Sequence, residues 1–342
     1  MSTLYVSEPG ARIEKEYQHL LVTLEDEVLA RAPLGRISHV VLVGNVGATT
    51  PALLALLDAH IGLSFVSRGG ALRGRLLPPM SLNMPLRRAQ LQRESEADFC
   101  LSLARAIVAG KLANTRVMIQ HIVWRKPELA GEWLTRVTAA ADSLAAADSL
   151  AALRGLEGAA ARTYFGLLRR AFTGDLAAQF IKRARRPPPD PINALLGLGY
   201  TLLTDAVMTA LEVAGLDPYI GFFHADQYGR PALALDLVEE FRVPIVDSLV
   251  LTLVNKRMLQ ATAFESEIAE AAEEDGSQAG VYLNRWGRRV FFREFSDRLE
   301  TQVWHPLAGR RLSYRKIFEV QARSLAKVIL QQQQEYRPFR WK

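Results

Sequence analysis

Four side chains carry the chemistry this sequence could do. His224 sits in Gly221-Phe222-Phe223-His224-Ala225-Asp226, and Asp236 and Glu239 follow twelve and fifteen residues later. A spacing of three puts Asp236 and Glu239 on one helical face, among the apolar residues Leu235, Leu237, Val238 and Phe241. Two carboxylates held together in a partly dry place repel each other, which raises a pKa unless a cation stands between them. A divalent metal meets that need. The plainer alternative has Asp236 capping the helix and Glu239 pairing with Arg242 at i+3. The fourth residue is Glu157, flanked by Gly155 and Gly158 in an Ala/Leu-rich stretch. Gly costs about 1 kcal/mol of helix stability relative to Ala, so two glycines around one acid suggest close approach by something large. A helix start with Glu in its first turn would explain the acid equally well.

Other chemistries find less support. Gly44-Asn45-Val46-Gly47-Ala48-Thr49-Thr50 follows a strand and precedes a helix, but it lacks the lysine of a phosphate loop and the third glycine of a dinucleotide fingerprint. A turn with a capped helix is the better reading. Cys100 lies in an apolar helical stretch, where a thiol is inert, and no serine sits in a glycine elbow.

The elements that must position these residues change character along the chain. Residues 4–6, 12–16, 19–24, 27–32, 39–43, 63–66 and 72–77 read as short strands, with turns at Pro9-Gly10, Gly35, Gly44 and Gly69-Gly70. One short helix is expected over 51–60, with Thr50 as N-cap and Pro51 in first position. From Ala89 onward the period is helical, with helices expected over 97–113, 116–124, 128–152, 158–173, 191–214, 235–274 and 314–334. Ala140–Ala145 (AADSLA) recurs at 146–151, read as a length variation within a helix. Residues 182–191 (KRARRPPPDP) form a polyproline-like break, expected to be mobile or extended. The expected class is α+β: a small N-terminal, mostly antiparallel β domain over 1–85, then a larger all-α domain over 86–342.

Composition agrees with a globular chain. Its 342 residues are 49% apolar and 23% charged, enough for about two domains. A single cysteine excludes a disulfide framework and a cysteine-ligated zinc site, and fits a reducing cytoplasm. No charge-flanked apolar segment of roughly 20 residues stands out, and no leader is evident, so neither a membrane location nor export is expected. Lys and Arg number 42 against 36 acids, a net charge of +6, but residues 281–342 hold 14 basic and 5 acidic residues. The basic excess is thus confined to the C-terminal end, where Trp286, Phe291, Phe292, Trp304 and Tyr314 are interleaved with the charges. A phosphate-backbone binder carries that footprint, as does a solvated basic helical surface.

Taken together, the motifs resemble those of the CRISPR-associated adaptation integrases, the larger of the two proteins that capture foreign DNA as new spacers. The resemblance rests on Glu157-Gly158 followed by Ala161-Arg162-Thr163-Tyr164-Phe165, on Asn193-Ala194-Leu195-Leu196 with Gly199-Tyr200, on Ala214-Gly215-Leu216-Asp217-Pro218 leading to Gly221-Phe222-Phe223-His224, and on Leu235-Asp236-Leu237-Val238-Glu239-Glu240-Phe241-Arg242. The closing Tyr336-Arg337-Pro338-Phe339 matches one branch of the family.

The resemblance implies a metal centre of Glu157, His224 and Glu239, with Asp236 as a near neighbour or an alternative ligand. Family members often have Asp where Glu239 stands. Two carboxylates and one imidazole accept Mg²⁺ or Mn²⁺. An imidazole must be neutral to ligate, so activity is expected to fall below about pH 6. The implied reaction is attack of a DNA 3′-hydroxyl on a phosphodiester of the repeat array; with water as nucleophile the same centre is a nuclease. The resemblance also implies a homodimer formed through the β domain and a smaller adaptation partner. Arg285, Arg288, Arg289, Arg293, Arg310, Arg311, Arg315 and Lys316 are then the candidates for holding DNA along its phosphates. Two other readings remain open: a DNA-binding scaffold without catalysis, and a metal-dependent nuclease of branched repair intermediates.

Overall fold

Short alternating runs at the N-terminus become the strands β1 (Ser2–Val6), β2 (Arg12–Glu16), β3 (His19–Leu24), β4 (Glu27–Pro33), β5 (Ile37–Val43), β6 (Gly47–Ala48), β7 (Gly62–Val66) and β8 (Leu72–Leu76). In this computed structural model the described residues are 2–78, 83–184, 187–224, 228–267 and 280–341. Glu25 and Asp26 take positive φ (48° and 66°) between β3 and β4, the two-residue turn that suits the strand twist. One sheet has the order β4-β3-β2-β6 and the other β1-β5-β7-β8.

The N-terminal sheets, expected to be mostly antiparallel, are mixed, with as many parallel as antiparallel pairings among the described strands. β1 pairs parallel with β5, β5 parallel with β7, and β6 parallel with β2. The reason is α1 (Thr50–Asp58), which lies between β5 and β7 in the chain and returns it for a crossover. Thr49 caps α1, accepting from the Ala52 N–H at 3.4 Å, one residue before the expected cap. The segment Gly44–Thr50 is therefore a turn, a two-residue strand and a capped helix. Ile13, Leu20, Val40, Leu42, Leu56 and Leu63 bury the inner face.

The helices are α2 (Met84–Glu94), α3 (Ala97–Arg125), α4 (Trp133–Asp142), α5 (Leu150–Ala171), α6 (Asp175–Gln179), α7 (Pro191–Val213), α8 (Ala232–Val238), α9 (Ser248–Asn255), α10 (Arg285–Glu300) and α11 (Tyr314–Ile329). The expected break after residue 113 is absent because Asn114 and Thr115 are buried, with the Thr115 hydroxyl donating to the Lys111 carbonyl at 2.8 Å. The expected helix over 235–274 is interrupted. Pro244 has no N–H to continue the ladder, and Arg242–Asp247 forms a π-helical turn between α8 and α9. Residues 268–279 of that expected helix lie outside the described residues.

The region is also not all-α. β9 (Phe264–Glu267) pairs with β10 (Gly280–Leu283), and β11 (Gln302–His305) with β12 (Arg310–Ser313), both antiparallel. The AADSLA repeat is not inside one helix: it runs from the last residues of α4 through a 3-10 turn over Ser143–Ala146 into the start of α5, which Ser149 caps. Residues 182–184 and 187–190 of the proline-rich break have no regular secondary structure and Pro191 opens α7; residues 185–186 lie outside the described residues.

Contacts divide the chain differently from a single cut at residue 85. One unit comprises residues 1–80, 184–201 and 259–300, and the other residues 81–183, 202–258 and 301–342. In the first, Tyr5 of β1 stacks on Phe292 of α10 with ring centroids 4.9 Å apart. In the second, α3 packs on α4, α5 and the π-helical turn, and buries Leu103, Ile107, Leu112, Met118 and Ile122. Helix α7 is long and apolar enough to cross a membrane by length and composition, although Asp205 and Glu212 interrupt it, and most of its apolar stretch is buried inside the protein.

Candidate metal centre

Three elements of the second unit bring Glu157, Glu239 and Lys111 together. Glu157 stands two turns into α5, not at a helix start, and Glu239 follows the last residue of α8. Lys111 rises from the middle of α3 and its ammonium touches both acids: it is ion-paired with Glu157 Oε1 and lies 2.5 Å from Glu239 Oε2. Arg242 donates to the other oxygen, Glu239 Oε1, at 2.8 Å. The pairing that the plainer reading requires is therefore present, but it uses only one of the two oxygens. Glu239 Oε2 is buried against the Lys111 ammonium.

Asp236 has a different task. It is fully buried, and its oxygens accept from the backbone N–H groups of Phe222 (2.7 Å), Phe223 (3.0 Å) and His224 (2.9 Å), and from His224 Nδ1 (2.8 Å). An acceptor-only carboxylate requires the imidazole proton on Nδ1. The lone pair is thereby left on Nε2, which lies 3.9 Å from Glu239 Oε1. Orientation of an imidazole by a carboxylate behind it is the usual support for a metal-binding histidine.

The loop that carries His224 is pinned from several sides. Gln90 donates to the carbonyls of Asp217 and Ile220 and accepts from the Asp217 N–H. Arg154 donates to the Phe223 carbonyl and lies over the Phe223 ring. Gly221 admits the closest approach: a Cβ there would stand 2.6 Å from that of Ala232.

Electrostatics keep Glu239 charged. Burial opposes ionisation, but the Arg242 and Lys111 charges outweigh it and hold the carboxyl well below the usual carboxylate range. Its neighbour Glu240 behaves oppositely: burial pushes it up to about 7 against hydrogen bonds from Tyr336, Phe339 and Gln321. Those bonds fasten the chain end. Tyr336 Oη and the Phe339 N–H donate to Glu240 at 2.6 Å each, and Asn114 on α3 accepts from the Trp341 N–H while donating to the Glu240 and Phe339 carbonyls. The motif Tyr336–Phe339 is thus a strap beside Glu239.

The donor set suits a hard divalent cation, with two carboxylates and one imidazole, and Glu239 Oε2, which faces the Lys111 ammonium, is an acceptor such an ion would use. Among the described residues no three carboxyl, imidazole or thiol groups are close enough as placed to share one ion. What joins the two acids is the Lys111 ammonium.

The basic candidates divide. Arg285, Arg289 and Arg293 are exposed on one face of α10 at spacings of four, with Arg285 bonded to Glu8 and Arg293 to Glu294. Arg288 is buried, donates to the Leu283 carbonyl at 2.7 Å, and belongs to the interior of its unit. Arg310, Arg311 and Lys316 are exposed in the other unit and Arg315 is half-buried; Arg311 donates to the Gln302 carbonyl and Lys316 to Glu319. Sequence reasoning missed Lys111 and Arg154. For Lys111 a signal existed: it is the only charge between Arg105 and Arg116, on a stretch too apolar to be a solvated face.

Comparisons with known proteins converge. The family model described as CRISPR associated protein Cas1 matches residues 4–297. The CRISPR-associated endonuclease Cas1 3 of Thermus thermophilus is 38% identical over 99% of this chain and 97% of its own length. Among solved structures, a Cas6-RT-Cas1–Cas2 complex is similar at TM-score 0.83 and 26% identity, covering all of this chain and 36% of that one. A casposase bound to integration product shares the fold at TM-score 0.86 and 23% identity, covering 100% and 95% of the two chains.

Proposed function

The chain belongs to the Cas1 family, and from that premise we propose that it is a metal-dependent DNA endonuclease and integrase. Its reaction inserts foreign DNA fragments into a CRISPR array by 3′-hydroxyl attack on a phosphodiester. The observation that supports this reading is the pairing of Glu157 and Glu239 through the Lys111 ammonium, with the oriented His224 ring 3.9 Å from Glu239.

Glu157, His224 and Glu239 would hold Mg²⁺ or Mn²⁺, with Asp236 behind His224 as a positioning residue. A bound divalent ion offsets the charge that builds on the nonbridging and leaving oxygens during phosphodiester attack. The chain's own residues do the rest. Asp236 holds the His224 proton on Nδ1, Arg154 and Gln90 hold the loop, and buried Phe222 and Phe223 keep water from behind it. A Cβ at Gly155 would meet nothing within 4 Å and one at Gly158 only Arg162, so the helix face beside Glu157 is open to a large substrate.

Foreign DNA and the repeat array would be gripped along their phosphates by Arg285, Arg289, Arg293, Arg310, Arg311, Arg315 and Lys316. Assembly is with a second copy through the N-terminal strands and with a smaller Cas2-type partner, in the cytoplasm and without a membrane. The test is strand joining and cleavage with Mg²⁺ or Mn²⁺ by Glu157→Ala, His224→Ala and Glu239→Ala. Each is expected to lose at least about a hundredfold in rate, the scale of a lost electrostatic contribution. Wild-type rates in all three folded variants would overturn the proposal.

A further inference from the structure

Lys111 lies on α3 between buried Val108 and Leu112, and its side chain is only 12% exposed. An ammonium taken out of water is costly unless paired. Its partners are Glu157 and Glu239, the carboxylates assigned above to the metal. The division of oxygens is specific: Arg242 takes Glu239 Oε1, while the Lys111 ammonium takes Oε2 at 2.5 Å. Two ionised acids facing the same point need a cation there. A lysine is a compact charge on a flexible four-carbon stem, so it can occupy that point and leave it.

We propose that Lys111 is a resident counter-cation that holds Glu157 and Glu239 in the metal-free chain, and that divalent metal loads by displacing it. This rests on the metal-centre reading and adds an exchange to it: one ammonium leaves as one metal ion enters. The released ammonium remains tethered beside the site, where a DNA phosphate is its natural new partner. DNA should therefore tighten metal binding, and metal should tighten DNA binding by the same factor.

The experiment is a Mn²⁺ titration of the full chain by calorimetry or by the electron paramagnetic resonance of free Mn²⁺. Lys111→Met, which keeps the length of the side chain without its charge, is expected to bind Mn²⁺ roughly tenfold tighter or more, the scale of one charged hydrogen bond no longer broken. Lys111→Arg should stay near wild type. Equal or weaker binding by Lys111→Met overturns the exchange.

Should that variant not fold without metal, amine acetylation of the wild-type chain read by mass spectrometry decides. Lys111 should become several-fold more reactive on adding Mn²⁺, and should not respond in His224→Ala. Unchanged Lys111 reactivity while Mn²⁺ binds wild type, but not His224→Ala, removes the exchange alone. Equal Mn²⁺ binding by wild type, Glu157→Ala and His224→Ala removes the metal centre and the exchange with it.

Discussion

Replacing Asp236 with Asn changes one carboxylate oxygen to an amide NH₂ and should be felt both in the fold and at the metal. Asp236 is fully buried and accepts four hydrogen bonds, three from backbone N–H groups and one from His224 Nδ1. An Asn oxygen can keep about two of these, while its NH₂ must face the other two donors. Bonds to a charged acceptor are worth about 1.5–3 kcal/mol each, and two are lost. Relaxation of the loop recovers part, which leaves a destabilisation of about 3 kcal/mol. Without its acceptor the imidazole no longer has its proton fixed on Nδ1, so Mn²⁺ affinity should fall about 10- to 100-fold. Urea denaturation followed by circular dichroism reads the first effect and a Mn²⁺ titration the second. If Asp236→Asn unfolds within about 0.5 kcal/mol of wild type, the range of an inconsequential surface change, and binds Mn²⁺ equally, Asp236 does not orient His224.

Burial, reinforced by the charges of Glu94, Asp236 and Glu96, pushes the Cys100 thiol up to about 11. At pH 8.5 about one thiol in three hundred is then ionised in the fold against about half in the unfolded chain. Alkylation by iodoacetamide should accordingly run at least about a hundredfold faster in urea. The unfolded chain gives up this proton first, so the contribution of Cys100 to stability is lost as pH rises from about 8.5 through 11. Equal alkylation rates in native buffer and urea would refute this.

Gly110→Ala places a Cβ 2.5 Å from Pro338 of the C-terminal strap and should cost more than about 1 kcal/mol. Tyr336→Phe removes a buried donor to Glu240 and should cost about 2 kcal/mol. Urea midpoints measure both, and an unshifted midpoint in either counts against the strap. Arg288→Ala should destabilise the fold, whereas Arg289→Ala should leave stability alone, weaken DNA binding and reduce its salt slope by about one. A salt titration of binding beside a melting curve separates the two.

Local regularities carry a good part of this protein. The strands Arg12–Glu16 and His19–Leu24 follow from alternation, and α7 follows from apolar spacing, because neighbours along the chain suffice to specify them. Pro244 could have been read as a helix break, since its missing N–H is a property of the residue alone. Parallel pairing of β1, β5 and β7 could not, because register between distant strands is set by packing and by the path of the connection.

The site divides in the same way. Residue type and spacing make His224, Asp236, Glu239 and Glu157 candidates beside plainer readings, and only the family resemblance joins Glu157, His224 and Glu239 as one centre. The surroundings of each carboxylate come from three-dimensional neighbours: four donors close around Asp236, while Glu239 faces the Lys111 ammonium and Arg242. Lys111 and Arg288 show the rest. Each is simply a basic residue in the linear chain, yet folding sends Lys111 to the paired acids and Arg288 into an interior. Charge is encoded residue by residue, but its surroundings arise from segments far apart in the sequence, and those surroundings determine whether a cation binds a substrate, guards a site or holds up the fold.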